Sequence, residues 1–127
     1  MQKKYFKDTY PIFYREILKV DSPYKSVVEY LDYFEEKIKE HDKAEVIARF
    51  DHYTHTKKVD GDISDDIKDA QHIIMCFGWE LPSADPVAVR PRSIGITELE
   101  DKFVINFMLA PNPVAQQVME SWVNSIG

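Results

Sequence analysis

The sequence predicts an α+β fold of two layers: a curved, mostly antiparallel five-stranded sheet carrying two main helices, in the order β-α-β-β-β-β-α. Three observations carry this. Apolar residues recur at helical spacing in two separated segments, 21–42 and 112–127. Before and between them, β-branched and aromatic residues crowd into short runs that alternate or are apolar throughout. The 127 residues suit one domain, 1–127, able to bury a core without disulfide or metal staples.

The first strand is expected over "YPIFYREILKV", residues 10–20, where Ile12, Tyr14, Glu16 and Leu18 alternate with Phe13, Arg15, Ile17 and Lys19. Ser22 before Pro23 then reads as a helix cap with proline in the first helical position. Val27, Leu31, Phe34 and Ile38 form one apolar stripe, widened by Val28 and Tyr30, and Glu35 and Lys39 are spaced to support each other on the solvated side. From Lys43 the period drops to two. Val46, Ala48, Phe50 and His52 are expected on one face of a strand, with Glu45, Ile47, Arg49 and Asp51 on the other. Asp60-Gly61 signals a turn, and Ser64 before two aspartates could cap one helical turn.

"AQHIIMCFGW", residues 70–79, is too short and too β-rich for a helix and reads as a central strand ended by Gly78. The proline-rich residues 80–91 read as a loop or irregular edge. Residues 92–109 read as two strands about a turn near Glu100-Asp101. Asn112 caps a final helix with Pro113 in its first position, and Val114, Val118, Trp122 and Ile126 recur at helical spacing with Ala115, Met119 and Val123 beside them.

Composition narrows the function. A net charge of −6 and a pI near 5.2 argue against nucleic acid or anionic lipid as a partner, because counterion release needs a basic face. No apolar run approaches a membrane span, and "MQKKYFKD" lacks the apolar segment of a secretory signal, so a cytoplasmic location is expected. Cys76 is the only cysteine and reads as a small buried hydrophobe. No phosphate loop, dinucleotide fingerprint or zinc-protease motif occurs, and no cofactor is expected.

"ARFDH", "IIMCFG" with Pro82 soon after, a paired hairpin and "NP" opening the last helix together resemble the small bacterial family catalogued as domain of unknown function 302, over about residues 44–113. The whole chain is also similar to a narrow uncharacterised bacterial group sharing "FDHYTHT", "CFG", "VRPRSIG" and "APNP". The first resemblance implies a β-α-β4-α fold like that of the TATA-binding protein, often as a homodimer. It implies no catalytic residues. Asp51, His52, Phe77, Gly78, Asn112 and Pro113 match the recurring pattern, while "AVRPRSIG" and Trp79 depart from it.

Two constellations could carry chemistry. In a regular strand His52 and His55 point to opposite faces, and a metal centre would need Asp51 and His72 to converge on them, so no metal site is expected. His52, ending an apolar row, is either a hydrogen-bonded core-edge residue or a proton-transfer group at a pocket mouth. Arg90 and Arg92 flank Pro91, so an extended segment presents both guanidiniums to one side, where they suit a carboxylate or phosphate or else pair with the chain's own acids. Trp79 after Gly78 could close over the end of the sheet or anchor a partner. The expectation is a non-enzymatic binding module for a small anionic ligand or protein partner, contacting it through His52, His55, Trp79, Arg90 and Arg92. A homodimer paired through an edge strand is also expected. The alternative is a small enzyme with His52 as general acid or base and Arg90 and Arg92 holding an anionic substrate.

Overall fold

The computed structural model describes residues 1–127. Its α+β class and antiparallel sheet agree with the sequence reading, with six strands instead of five. These are β1 (Gln2–Phe6), β2 (Tyr10–Leu18), β3 (Ala44–Asp51), β4 (Asp69–Phe77), β5 (Arg92–Glu98) and β6 (Lys102–Met108), in the spatial order β1-β2-β6-β5-β4-β3. Three helices accompany them: α1 (Val27–Glu40), α2 (His52–Lys58) and α3 (Pro113–Asn124). The added strand, β1, pairs antiparallel with β2 from Gln2↔Tyr14 to Phe6↔Tyr10 and forms one edge.

α1 and α3 cover one face of the sheet. Val27, Tyr30, Leu31, Phe34 and Ile38 of α1 lose all exposure, as their four- and three-residue steps require. They meet Ile73, Met75, Ile94, Ile96, Phe103 and Ile105 from alternate positions of β4, β5 and β6. Each such side chain contributes about 1.5–3 kcal/mol relative to exposure. The charged residues of α1 lie outside, where Lys39 reaches Glu35 at 3.3 Å. Arg15 donates to the carbonyls of Val123 (2.7 Å) and Ile126 (3.0 Å), tying β2 to the C-terminal end of α3.

The cap of α1 departs from expectation. Ser26, not Ser22, accepts from the Glu29 amide, and Pro23 precedes the helix. Ser22 instead bonds the buried Tyr30 hydroxyl at 2.6 Å. α3 starts as read, with the Asn112 side chain accepting from the amides of Val114 (2.8 Å) and Ala115 (3.3 Å) and Pro113 in the first turn.

β3 holds the main correction. Its register against β4 shifts between Val46 and Ala48, where a bulge inserts one residue. Before the bulge Val46 pairs with Met75 on the helix side; after it Arg49 pairs with Ile73 on that side, and Phe50 pairs with His72 on the opposite one. An odd insertion inverts every later side chain, so the expected row Val46, Ala48, Phe50, His52 does not exist. Arg49 consequently reaches Asp32 of α1 at 2.7 Å and Glu35 at 3.6 Å.

The strand also stops at Asp51, whose carboxylate accepts from the Thr54 amide (2.9 Å) and hydroxyl (2.8 Å) and caps α2. His52 and His55 are therefore helical. Ser64 caps no helical turn; its hydroxyl bonds the Asp66 carboxylate. Cys76 is half-buried on the face away from α1 and α3, not in the core.

Candidate functional site

β4 and β6 end, and β5 begins, near the start of α3, and the segment between β4 and β5 includes a 3₁₀ turn, Asp85–Val89, at this end. A cleft of about 520 Å³ lies there. Phe77, the last residue of β4, and Trp79 form one wall. Their rings stack at 4.7 Å with an 8° interplanar angle, and Phe77 stacks in turn on Trp122 of α3 at 5.8 Å. His41 meets all three rings edge-on, at 5.5 Å from Phe77, 5.8 Å from Trp79 and 6.2 Å from Trp122. Interlocked rings of this kind hold a flat apolar surface rigid.

Arg90 and Arg92 both line the cleft. Arg90 donates to the Glu80 carbonyl at 2.8 Å. Arg92, first residue of β5, donates to the carbonyls of Met108 (2.6 Å) and Leu109 (3.0 Å), with a longer contact to that of Val89 (3.4 Å). Its Nε is buried with no partner in the protein. Burial lowers the Arg92 guanidinium from its ordinary value, yet an arginine stays charged at any pH a protein survives. Neither arginine has a carboxylate within ion-pair distance, whereas Lys19, Lys39, Arg49, Lys68 and Lys102 each do. The expected alternative, pairing with the chain's own acids, is not the arrangement found. Glu80 and Asp85 line the same cleft without pairing, and Asn112 at its edge brings the positive end of α3 close, with two of the free amides already capped.

The histidines lie elsewhere. Phe50, on the face opposite α1 and α3, contacts three imidazoles: His52 at 5.7 Å, His55 at 5.3 Å and His72 at 5.4 Å between ring centroids. His52 and His72 are 6.1 Å apart, and the His52 Nδ1 hydrogen-bonds the Thr56 hydroxyl at 3.1 Å. Helical spacing thus gathers His52 and His55 about one ring, where alternation along a strand would have sent them apart. The gathered set does not have the geometry of a metal centre, and no group of three or more histidine, cysteine or acidic side chains in the chain does. Burial and the neighbouring His52 lower the His72 pKa from its usual value. His52 lines a separate cavity with Tyr53, Thr56 and Asp62. Trp79, Arg90 and Arg92 are therefore brought together, while His52 and His55 are not joined to them. The pairing of His52 with Arg90 and Arg92 that an enzyme would need is not made within one cavity.

A family model described as a family of unknown function, DUF6858, matches residues 1–127. The chain belongs to the DUF6858 family. No curated protein and no solved structure matches it. For this DUF6858 chain the matching family is not domain of unknown function 302, and no residue role comes from either. The cleft residues that the site reading passed over are Phe77, Glu80, Asp85 and Asn112. Pro86, in the first turn of the Asp85–Val89 segment, was the available signal for the neighbouring acid. No helix of the DUF6858 chain is long and apolar enough to cross a membrane.

Proposed function

We propose that this DUF6858 chain is a non-enzymatic binding module that takes a small anionic ligand in the cleft at the end of the sheet. One observation carries this reading: of the chain's four arginines, Arg49 is satisfied by acids and Arg15 by helix-end carbonyls. The two that share the cleft have neither an acid partner nor, for the Arg92 Nε, any partner. A carboxylate or phosphate supplies what that nitrogen and the two charges lack. The Trp79–Phe77 wall suits a flat or apolar remainder of the ligand. Glu80 and Asp85 disfavour a polyanion and suit a single anionic head. Trp79, Arg90 and Arg92 are the contacts of this reading. A cytoplasmic setting fits a chain whose one cysteine has no partner for a disulfide.

Thermal unfolding against inorganic phosphate and simple mono-, di- and tricarboxylates tests it. A ligand that binds only the folded chain stabilises it by about 2.7 kcal/mol at a hundredfold excess over Kd. At least one anion is expected to raise the midpoint, and Arg90→Gln, which removes one carbonyl contact, is expected to abolish that rise while leaving the ligand-free midpoint near the original. An unmoved midpoint across the panel, or an equal rise in Arg90→Gln, overturns the reading.

A further inference from the structure

The face of the sheet away from α1 and α3 has no layer over most of its area, and its chemistry is unlike that of a wetted face. Along β4, β5, β6 and β2 it carries residues such as Ile74, His72, Gly95, Asn106, Met108 and Ile12. The only acidic or basic residues that those four strands turn to this face are Glu16 and Lys102, which pair with each other at 2.8 Å at one end. In a chain that is 30% charged, a solvated antiparallel face normally alternates to charged residues. Depletion of charge is instead the mark of an interface core. The margins behave differently: Lys4 stands on β1 at one edge of this face, and Glu45, opposite Cys76, on β3 at the other.

The face is also shaped. A trough of about 320 Å³ runs over it beside Phe6, Tyr10, Met108 and His72. Phe6 (45% exposed), Tyr10 (49%) and Met108 (47%) stand open to water along it. A ridge bounds the face on the β3 side, where His55 of α2 packs over Phe50.

We propose that this face docks a second copy of the chain, face to face, about a twofold axis parallel to the strands. That axis runs between β5 and β6, the midline of the strand order, where the absence of a side chain at Gly95 lets Asn106 lie low across it: a Cβ there would sit 2.9 Å from the Asn106 Oδ1. The rotation lays the β1 edge of each copy over the β3 edge of the other. α2 of each copy then faces the β1–β2 side of its twin, and Lys4, which the register puts level with Ala48, has Glu45 about 7 Å further along the strands, within side-chain reach, twice. No other occupant is specified by the charges of the face itself. With strands about 4.8 Å apart and 3.4 Å per residue, five strand widths by seven residues cover roughly 570 Å² on each copy. The total of about 1,100 Å² passes the threshold of about 1,000 Å² for a specific interface. Association through a strand edge fits less well, because β1 presents Lys3 and Lys4, residues that blunt an edge.

Sedimentation equilibrium of the full chain over a wide concentration range tests the assembly. The mass is expected to rise from one chain towards two. Met108→Glu, a change at an exposed position, is expected to weaken association at least about tenfold, since it puts an unpaired charge in the interface, with the unfolding midpoint unchanged at dilutions where both chains are single. Lys4→Glu is expected to weaken it, and Lys4→Glu with Glu45→Lys to restore it. A single-chain mass at the highest concentration overturns the proposal, as does a dimer untouched by Met108→Glu. Lys4→Glu that associates like the parent, or a double variant that stays as weak as the single one, overturns the twofold arrangement.

Discussion

Single side chains show how one inserted residue decides a local environment. The bulge before Ala48 turns Phe50 to the open face, and the helix started by Asp51 brings His52 and His55 round it to join His72. The pKa of His72 is depressed, by burial first and by the neighbouring His52 second. Its folded-state pKa lies below the unfolded value of about 6.5, so as pH falls past 6.5 the unfolded chain takes up a proton that the folded chain resists. His72 therefore contributes stability that is intact above pH 6.5 and is lost as pH falls through the depressed folded value. Urea midpoints measured from pH 7.5 down to pH 5 should decline, and His72→Gln, which cannot titrate, should flatten the upper part of that decline. An identical slope in His72→Gln would remove His72 as the source.

At the scale of elements, what the sequence disclosed depended on whether the deciding residue advertised itself. The start and type of α3 were legible, because Asn112, Pro113 and the apolar spacing each act locally, but its buried side is Ala115, Met119, Trp122 and Val123, with Val114 half exposed. The β5–β6 hairpin was legible from its two alternating runs. β1 was not: its five residues are all exposed, so no buried period marks them. Its turn also uses Lys7 and Asp8 at φ 52° and 58° where Asn-Gly would be the recognisable pair. α2 hid inside an apparent strand, since a bulge leaves no composition signature. Its boundaries were nevertheless written in Asp51 with Thr54 three residues on, and in Asp60-Gly61, read as a turn and in fact the helix terminator. Asp60 takes φ 57° and donates to the Lys57 carbonyl, while the Gly61 amide donates to that of Thr56 at 2.8 Å.

Gly61 earns its place by space, not by φ. A Cβ there would lie 2.7 Å from the Thr56 Cγ2, and Thr56 cannot rotate away without giving up its hydroxyl bonds to the His52 carbonyl and the His52 Nδ1. Gly61→Ala should therefore cost about 1–2 kcal/mol, the loss of one or two modest hydrogen bonds, read as a lowered urea midpoint. In a Thr56→Ser background, which keeps the hydroxyl and lacks the methyl, the same change should be nearly neutral. A full loss in both backgrounds would place the strain elsewhere. The cleft divides in the same way: Arg90 and Arg92 could be paired from the intervening Pro91, but the wall they face needed Phe77 and the start of α3, joined only by the fold.

For the whole molecule, charge decides how two copies can meet. Each carries −6, and bodies of this size held face to face have centres roughly 25–30 Å apart. At that separation their repulsion in pure water is about 5 kcal/mol. Two rim pairs of Lys4 with Glu45, exposed to solvent, return only about 1 kcal/mol each at best. Repulsion outweighs attraction, and it acts over a distance well beyond the Debye length of about 10 Å at 0.1 M salt. Salt therefore removes nearly all of the repulsion and less of the short-range rim attraction, leaving the apolar burial of the uncharged face intact. Added sodium chloride at pH 7 should tighten self-association, the reverse of what a contact built on opposite charges would show. Sedimentation equilibrium at low and at physiological salt reads the difference directly. An association that weakens with salt would mean that opposite charges, not the uncharged sheet face, hold the copies together.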